Sequence, residues 1–339
     1  MKRSVFLGTL SAAALLGGIA SATTLEDVKA RGELLCGSNA GLAGFSAPDT
    51  NGVYQGFDVA FCRAIAAAVL GDPMKVKVIP LSSEIRFTSL SAGEVDLLSR
   101  TTTATFSRDT DLKLDFVAVN YYDGQGFMVK KSLGVSSAKE LDGATVCIQT
   151  GTTTELNLSD YFKANGMTYE PVPLKDNAEA EQQYSAGSCD VYTTDSSGLA
   201  ATRATFPDAS EHVILPEIIS KEPLALTVRH GDNEWADIVR NTFNALLTAE
   251  EFGITSANVA EMAATAGTNP EINRLLGTEG ELGAMMGLDK DWAVRAIAAG
   301  GNYGEIFEAN IGASTPIGLS RGLNALWTQG GLQYAPPFR

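Results

Sequence analysis

Met74-Lys75-Val76-Lys77-Val78-Ile79-Pro80 is a short β-rich run set between two helix-like stretches, alanine-rich Phe57 to Leu70 and Ser83 to Ala92, and that placement decides the fold. Working outward, Glu33-Leu34-Leu35-Cys36 reads as an earlier strand and Val95-Asp96-Leu97-Leu98 as a later one. Short strands alternating with helices at this spacing imply parallel βαβ units. The same rhythm restarts at Ala144-Thr145-Val146-Cys147-Ile148, runs through a helix from Leu156 to Asn165, and reaches the strand Cys189-Asp190-Val191-Tyr192. An α/β protein with two sheet-forming blocks is expected.

Two segments read as crossings between the blocks. Tyr121-Tyr122-Asp123-Gly124-Gln125-Gly126-Phe127-Met128-Val129 leads into the second block, and Lys221-Glu222-Pro223-Leu224-Ala225-Leu226-Thr227-Val228 leads out of it. The next segment, Trp235 to Leu247, has apolar residues at helical spacing and packs back on the first block. The expected division is therefore one lobe from residues 23–124 and 225–268, a second from 125–224, and a Gly-rich extension at 269–339 packed on the lobes.

Met1-Lys2-Arg3 is a basic start, Val5 to Ala20 is apolar apart from small polar residues, and Ala20-Ser21-Ala22 has the form of a cleavage site. A cleaved signal peptide over residues 1–22 is expected. The apolar stretch is short for a membrane span, and Cys36, the first cysteine, lies too far on to carry a lipid, so a freely soluble exported protein is expected. Removing the signal takes two of the 25 bases and none of the 40 acids, which moves the formal charge from −15 to −17. Such a surface repels nucleic acid and anionic membranes.

Cys36, Cys62, Cys147 and Cys189 sit in an exported chain, where disulfides persist. Neighbourhood in the sequence favours Cys36–Cys62 and Cys147–Cys189, one staple inside each lobe. Three pairings and free buried thiols remain open at this level, and a bond across the lobes would lock any hinge.

Catalytic signatures mostly fall away. Gly318-Leu319-Ser320-Arg321-Gly322 has nucleophile-elbow spacing, but that motif needs a later histidine, and His212 and His230 both precede it. No phosphate loop, dinucleotide fingerprint or HExxH is present, and two histidines without a close cysteine pair do not suggest zinc. No cofactor and no metal are expected. What remains is Arg100-Thr101-Thr102-Thr103-Ala104-Thr105-Phe106-Ser107-Arg108, Thr150-Gly151-Thr152-Thr153-Thr154-Glu155 and Asp195, each just beyond a strand-like run. Ligands of such sheets bind beyond the carboxyl ends of parallel strands, where helix starts present unpaired N–H groups. A guanidinium, hydroxyls and a carboxylate together suit an α-amino acid. Taken singly, each has a structural reading: Arg108 paired with Asp109 or Asp111, Thr152 and Glu155 as a capping box, Asp195 as a helix cap.

Over most of residues 25 to 268 the chain resembles the amino-acid-binding proteins of bacterial ABC uptake systems. The resemblance is carried by Gly56-Phe57-Asp58-Val59-Ala60-Phe61, Gly93-Glu94-Val95-Asp96, Ser107-Arg108, Tyr121-Tyr122, Gln149-Thr150-Gly151-Thr152-Thr153 and Asp190 to Asp195. Phe57 to Ala68, Tyr121 to Met128 and Gln149 to Asn157 are most similar to the general L-amino acid receptors, which also carry a long C-terminal extension. The resemblance implies a two-lobe type II periplasmic binding protein, each lobe a mostly parallel sheet flanked by helices, joined by two crossing strands. It implies a monomeric, non-enzymatic periplasmic receptor that closes on L-amino acids, glutamate, glutamine, aspartate and asparagine among them, and delivers them to an ABC permease in the inner membrane.

By the same resemblance Arg108 clamps the ligand α-carboxylate with Thr103 and with the groups at Gly151, Thr152 and Thr153, while Asp195 takes the ammonium. Arg100 and Thr101 line the pocket. Leu42 and Ser83 stand where related receptors place two aromatic walls, which fits a roomier pocket, and Arg86 and Glu84 are side-chain readers. The rival reading is an exported dehydratase on the same scaffold, with Glu84 or Glu155 as general acid. A ligand-dependent partner of a chemosensory receptor is a third.

Overall fold

The computed structural model describes residues 23–265 and 267–339, and the expected signal peptide lies outside the described residues. Twelve strands follow in order: β1 (Leu34–Ser38), β2 (Ala47–Pro48), β3 (Tyr54–Gln55), β4 (Val76–Pro80), β5 (Leu97–Leu98), β6 (Leu114–Asp123), β7 (Gln125–Lys130), β8 (Ala144–Gln149), β9 (Tyr169–Leu174), β10 (Val191–Asp195), β11 (His212–Ile214) and β12 (Glu222–Arg229). They build two five-stranded sheets, ordered β4-β1-β5-β12-β6 and β11-β7-β10-β8-β9, and the small β2-β3 pair.

In the first sheet β1 is parallel to β4 and β5. In the second, β8 is parallel to β9 and β10. One strand in each runs against both neighbours: β12 in the first sheet and β7 in the second. Both enter from the other half of the chain. The parallel strands end at the side where the halves meet, so a strand that begins there has to run away from it. Asp123 at the end of β6 faces Glu222 at the start of β12, and Asp195 at the end of β10 faces Gln125 at the start of β7.

The helix Phe57–Leu70 forms as its composition predicts and ends on Gly71, whose φ of 74° suits a residue without Cβ. The expected Ser83 to Ala92 helix is shorter, Arg86–Ser91. The expected Leu156 to Asn165 helix begins earlier, at Thr153, because the Thr152 hydroxyl caps it by accepting from the Glu155 N–H at 3.3 Å. Strands β6 and β9 and the helix Asn177–Ser185 have no counterpart in the sequence reading.

The helix Asn233–Glu251 buries Trp235, Ile238, Val239, Phe243 and Leu246 in the core of the first half. Two helices of the C-terminal segment, Trp292–Gly300 and Tyr303–Asn310, pack on it and on Phe57–Leu70. Tyr303 stacks or edges against Phe57, Phe61 and Phe243 with ring centres 6.0, 6.3 and 5.7 Å away, and its hydroxyl donates to the Asn120 carbonyl at 2.9 Å. Arg321, from the discarded elbow motif, lies over the Tyr303 and Phe307 rings and pairs with Glu250 at 3.0 Å.

Both disulfides form within a half: Cys36–Cys62 ties β1 to the helix Phe57–Leu70, and Cys147–Cys189 ties β8 to the turn before β10. No helix of the described residues is long and apolar enough to cross a membrane.

Candidate functional site

The carboxyl ends of the parallel strands converge on one cavity between the two sheets. The first half contributes Leu42, Arg86, Arg100, Thr101 and Thr103, and the second contributes Thr152, Thr153 and Asp195. Gln149, at the end of β8, and Asn177, at the start of Asn177–Ser185, also line it and were not singled out from sequence. Neither residue type advertises a ligand site without its neighbours in space.

Three arginines crowd this region. Arg86 is 3% exposed, its Nε has no hydrogen-bond partner among the described residues, and its Nη1 reaches only the Thr102 hydroxyl at 3.5 Å. Burial lowers its pKa, the Arg100 and Arg108 charges lower it further, and Asp195 and Glu222 oppose them. A buried guanidinium with unspent donors is a ready partner for a carboxylate or carboxamide oxygen. Arg100 donates through Nε to the Leu81 carbonyl at 3.0 Å, and burial brings it down to about 10 despite the Asp58 carboxylate behind it.

Arg108 lines an adjoining groove with Phe87, Gly151, Thr152 and Thr153, the two threonines being shared with the cavity. Its Nη1 donates to the Thr103 carbonyl at 2.8 Å and its guanidinium lies 5.0 Å from the Phe87 ring centre. It makes no ion pair with Asp109 or Asp111. Ser83 lies outside the cavity lining, buried, its hydroxyl without a partner among the described residues.

Asp195 does not cap the helix Ser196–Thr205, and its carboxylate has no hydrogen-bond partner among the described residues. Burial pushes its pKa well up, the Asp123 and Glu222 carboxylates push it further, and Arg86 and Arg108 offset part of this. Asp123, held by the Ser197 hydroxyl and N–H and by the Gly124 N–H, is itself raised to about 6, chiefly by burial.

At the start of Thr153–Ala164 the capping box is half made. Thr152 accepts from Glu155, but the Glu155 carboxylate accepts from Gly151 at 3.2 Å. The N–H groups of Thr153 and Thr154 are left without a partner among the described residues, at the positive end of the helix dipole. Thr101 holds φ at 41°, a costly conformation for a β-branched residue, and its hydroxyl accepts from Asn39 at 2.8 Å.

One residue the sequence reading passed over organises the hydroxyls. Glu222 is 1% exposed, and its carboxylate accepts from Thr103 at 2.6 Å, Thr153 at 2.8 Å, Asn157 at 2.7 Å and Ser220 at 2.7 Å. In the sequence it is only one residue of the crossing Lys221 to Val228, and the convergence of distant segments is what reveals its place. Thr103 and Thr153 thus give their hydroxyl hydrogens to Glu222.

Glu84 and Glu155, the acids a dehydratase would use, both lie outside the cavity lining; Glu84 accepts from the Thr150 hydroxyl of the other half at 2.7 Å. His212 is a satisfied core residue, 3.0 Å from the Tyr184 hydroxyl. Asp109, Asp115 and His230 form the one cluster with metal-ligand spacing among the described residues, away from the cavity.

The profile of bacterial extracellular solute-binding proteins, family 3, matches residues 34–256. The chain belongs to that family. This family 3 protein is 71% identical, over the whole of both chains, to the glutamate/glutamine/aspartate/asparagine-binding protein BztA of Rhodobacter capsulatus. It is 56% identical, again over the whole of both, to the general L-amino acid-binding periplasmic protein AapJ of Rhizobium johnstonii. A solved ABC transporter periplasmic binding protein from Brucella ovis with glutathione bound is 57% identical and superposes with a TM-score of 0.91, over 94% of this chain and 100% of that one. The family 3 protein thus has the type II periplasmic binding protein fold, with the cavity between its two sheets.

Proposed function

We propose that this protein is an extracytoplasmic receptor for free L-amino acids, glutamate, glutamine, aspartate and asparagine among them, which closes its two halves on the ligand and passes it to an ABC permease. The observation that carries this is Asp195: an unpartnered carboxylate lining the same cavity as the buried guanidinium groups of Arg86 and Arg100. In that arrangement Asp195 takes the α-ammonium. The free N–H groups of Thr153 and Thr154, with Arg100, hold the α-carboxylate, and Arg108 supports that wall through the Thr103 carbonyl. Arg86 reads the acidic or amide side chain. Leu42, in place of a ring, leaves room for ligands of different size. The names of the BztA and AapJ relatives support this ligand class.

The lobes of this receptor are 23–124 with 225–268, and 125–224, with 269–339 riding mainly on the first; it works as a monomer in the periplasm after cleavage of residues 1–22. It binds and releases its ligand unchanged. Titration calorimetry with the four amino acids, and with glutathione as a fifth titrant, tests the reading. All four should bind the wild type, and Asp195→Asn should weaken each by about 30-fold or more, the worth of a bond between charged groups. Absence of heat for all four would refute it.

A further inference from the structure

We propose that Glu222 sets the polarity of the cleft: it takes the hydroxyl hydrogens of Thr103 and Thr153, one from each half, so that both oxygens face the ligand as acceptors for its ammonium group. The inference rests on the amino-acid receptor reading and adds a residue that nothing else assigns.

A threonine hydroxyl has one hydrogen and two lone pairs. The hydrogens of Thr103 and Thr153 both point to the same Glu222 oxygen, at 2.6 and 2.8 Å, while Ser220 and Asn157 hold the other oxygen at 2.7 Å each. Four donors fix a carboxylate that is almost wholly buried. Both threonines line the cavity, and so does Asp195. An ammonium has three N–H donors, and the cavity then offers three acceptors, Asp195 and the two hydroxyl oxygens. A ligand carrying a carbonyl at the same carbon, as 2-oxoglutarate does, meets only lone pairs there. Glu222 never touches the ligand in this account; it acts through the threonines as a positioning residue, and it does so with one partner from each side of the cleft.

The test is calorimetry with L-glutamate and 2-oxoglutarate on the full-length mature protein. The wild type should prefer glutamate by at least a hundredfold. Glu222→Gln puts an N–H donor where an acceptor stood and frees a hydroxyl hydrogen toward the cavity, so the preference should narrow tenfold or more, mainly through lost glutamate affinity. Thr153→Val keeps the side-chain shape and removes the oxygen, which keeps the test alive should the first variant fail to fold. It should narrow the preference as well, and the double variant should narrow it no further than the larger single effect. Equal losses for the two ligands, an unchanged preference in either folded variant, or additive effects in the double variant would overturn the assignment. A wild type that takes no glutamate fails earlier, and refutes the receptor reading itself.

Discussion

Asp58 lies behind Arg100, 1% exposed, with one carboxylate oxygen unpartnered among the described residues. Burial pushes its pKa from 3.8 up to about 7, against the pull of the Arg100 guanidinium, the Asn120 amide and the Thr101 N–H. The folded state therefore binds this proton more tightly than the unfolded chain does. The stability it contributes is complete below about pH 4 and is lost as pH rises through about 7. Asp58→Asn removes the titration. Between pH 4 and pH 8 the variant should gain on the wild type by up to roughly 4 kcal/mol, at about 1.4 kcal/mol per pKa unit; melting curves of both proteins across that range check it, and a difference independent of pH contradicts it. At this scale the sequence shows residue types and local caps, such as Thr152, because both partners lie within three residues. It does not show that Glu222 is buried or that Arg108 turns to the Thr103 carbonyl, because those contacts join segments far apart in the chain.

Elements were legible wherever their periodicity was clean. Phe57–Leu70 is almost wholly buried apolar and alanine-rich, and it stands as read. β6 was missed because Leu114–Asp123 buries residues on both faces, which blurs a two-residue period. β9 was missed because Pro171 and Pro173 break the pattern of a strand that pairs on one side only, with β8. The cysteine pairing read from neighbourhood holds since each bond joins elements of one sheet and its flanking helix or turn. Cys147–Cys189 closes a separation of 42 residues in the second half. Replacing both by serine should lower the unfolding free energy by about 2–4 kcal/mol. Denaturant titration measures the loss, and a change within about 0.5 kcal/mol would show that the bond contributes little.

In the whole molecule the C-terminal segment is structural covering for the first half. Its helices Trp292–Gly300 and Tyr303–Asn310 close over the aromatic cluster of Phe57, Phe61 and Phe243, and Asn324 bonds the Tyr122 backbone on both sides, donating at 3.1 Å and accepting at 2.6 Å. Tyr303→Ala should therefore cost about 3–5 kcal/mol, as for other large aromatic truncations in cores, while leaving the order of ligand affinities unchanged. Melting temperature and calorimetry on the same sample separate the two; a shift in ligand preference would mean that the segment reaches the cavity.

From the sequence alone come the α/β alternation, the two blocks, the preference for local disulfide pairs and the candidate set around Arg100, Thr152 and Asp195. All of these depend on short-range periodicity, capping spacing and residue chemistry. Tertiary structure alone decides the antiparallel entry of β7 and β12, the bond from Arg108 to the Thr103 carbonyl, the covering role of the C-terminal segment and the four donors on Glu222. These depend on which distant backbones meet, and a single side chain's hydrogen has its direction set by the partner that arrives, not by the residues beside it in the chain.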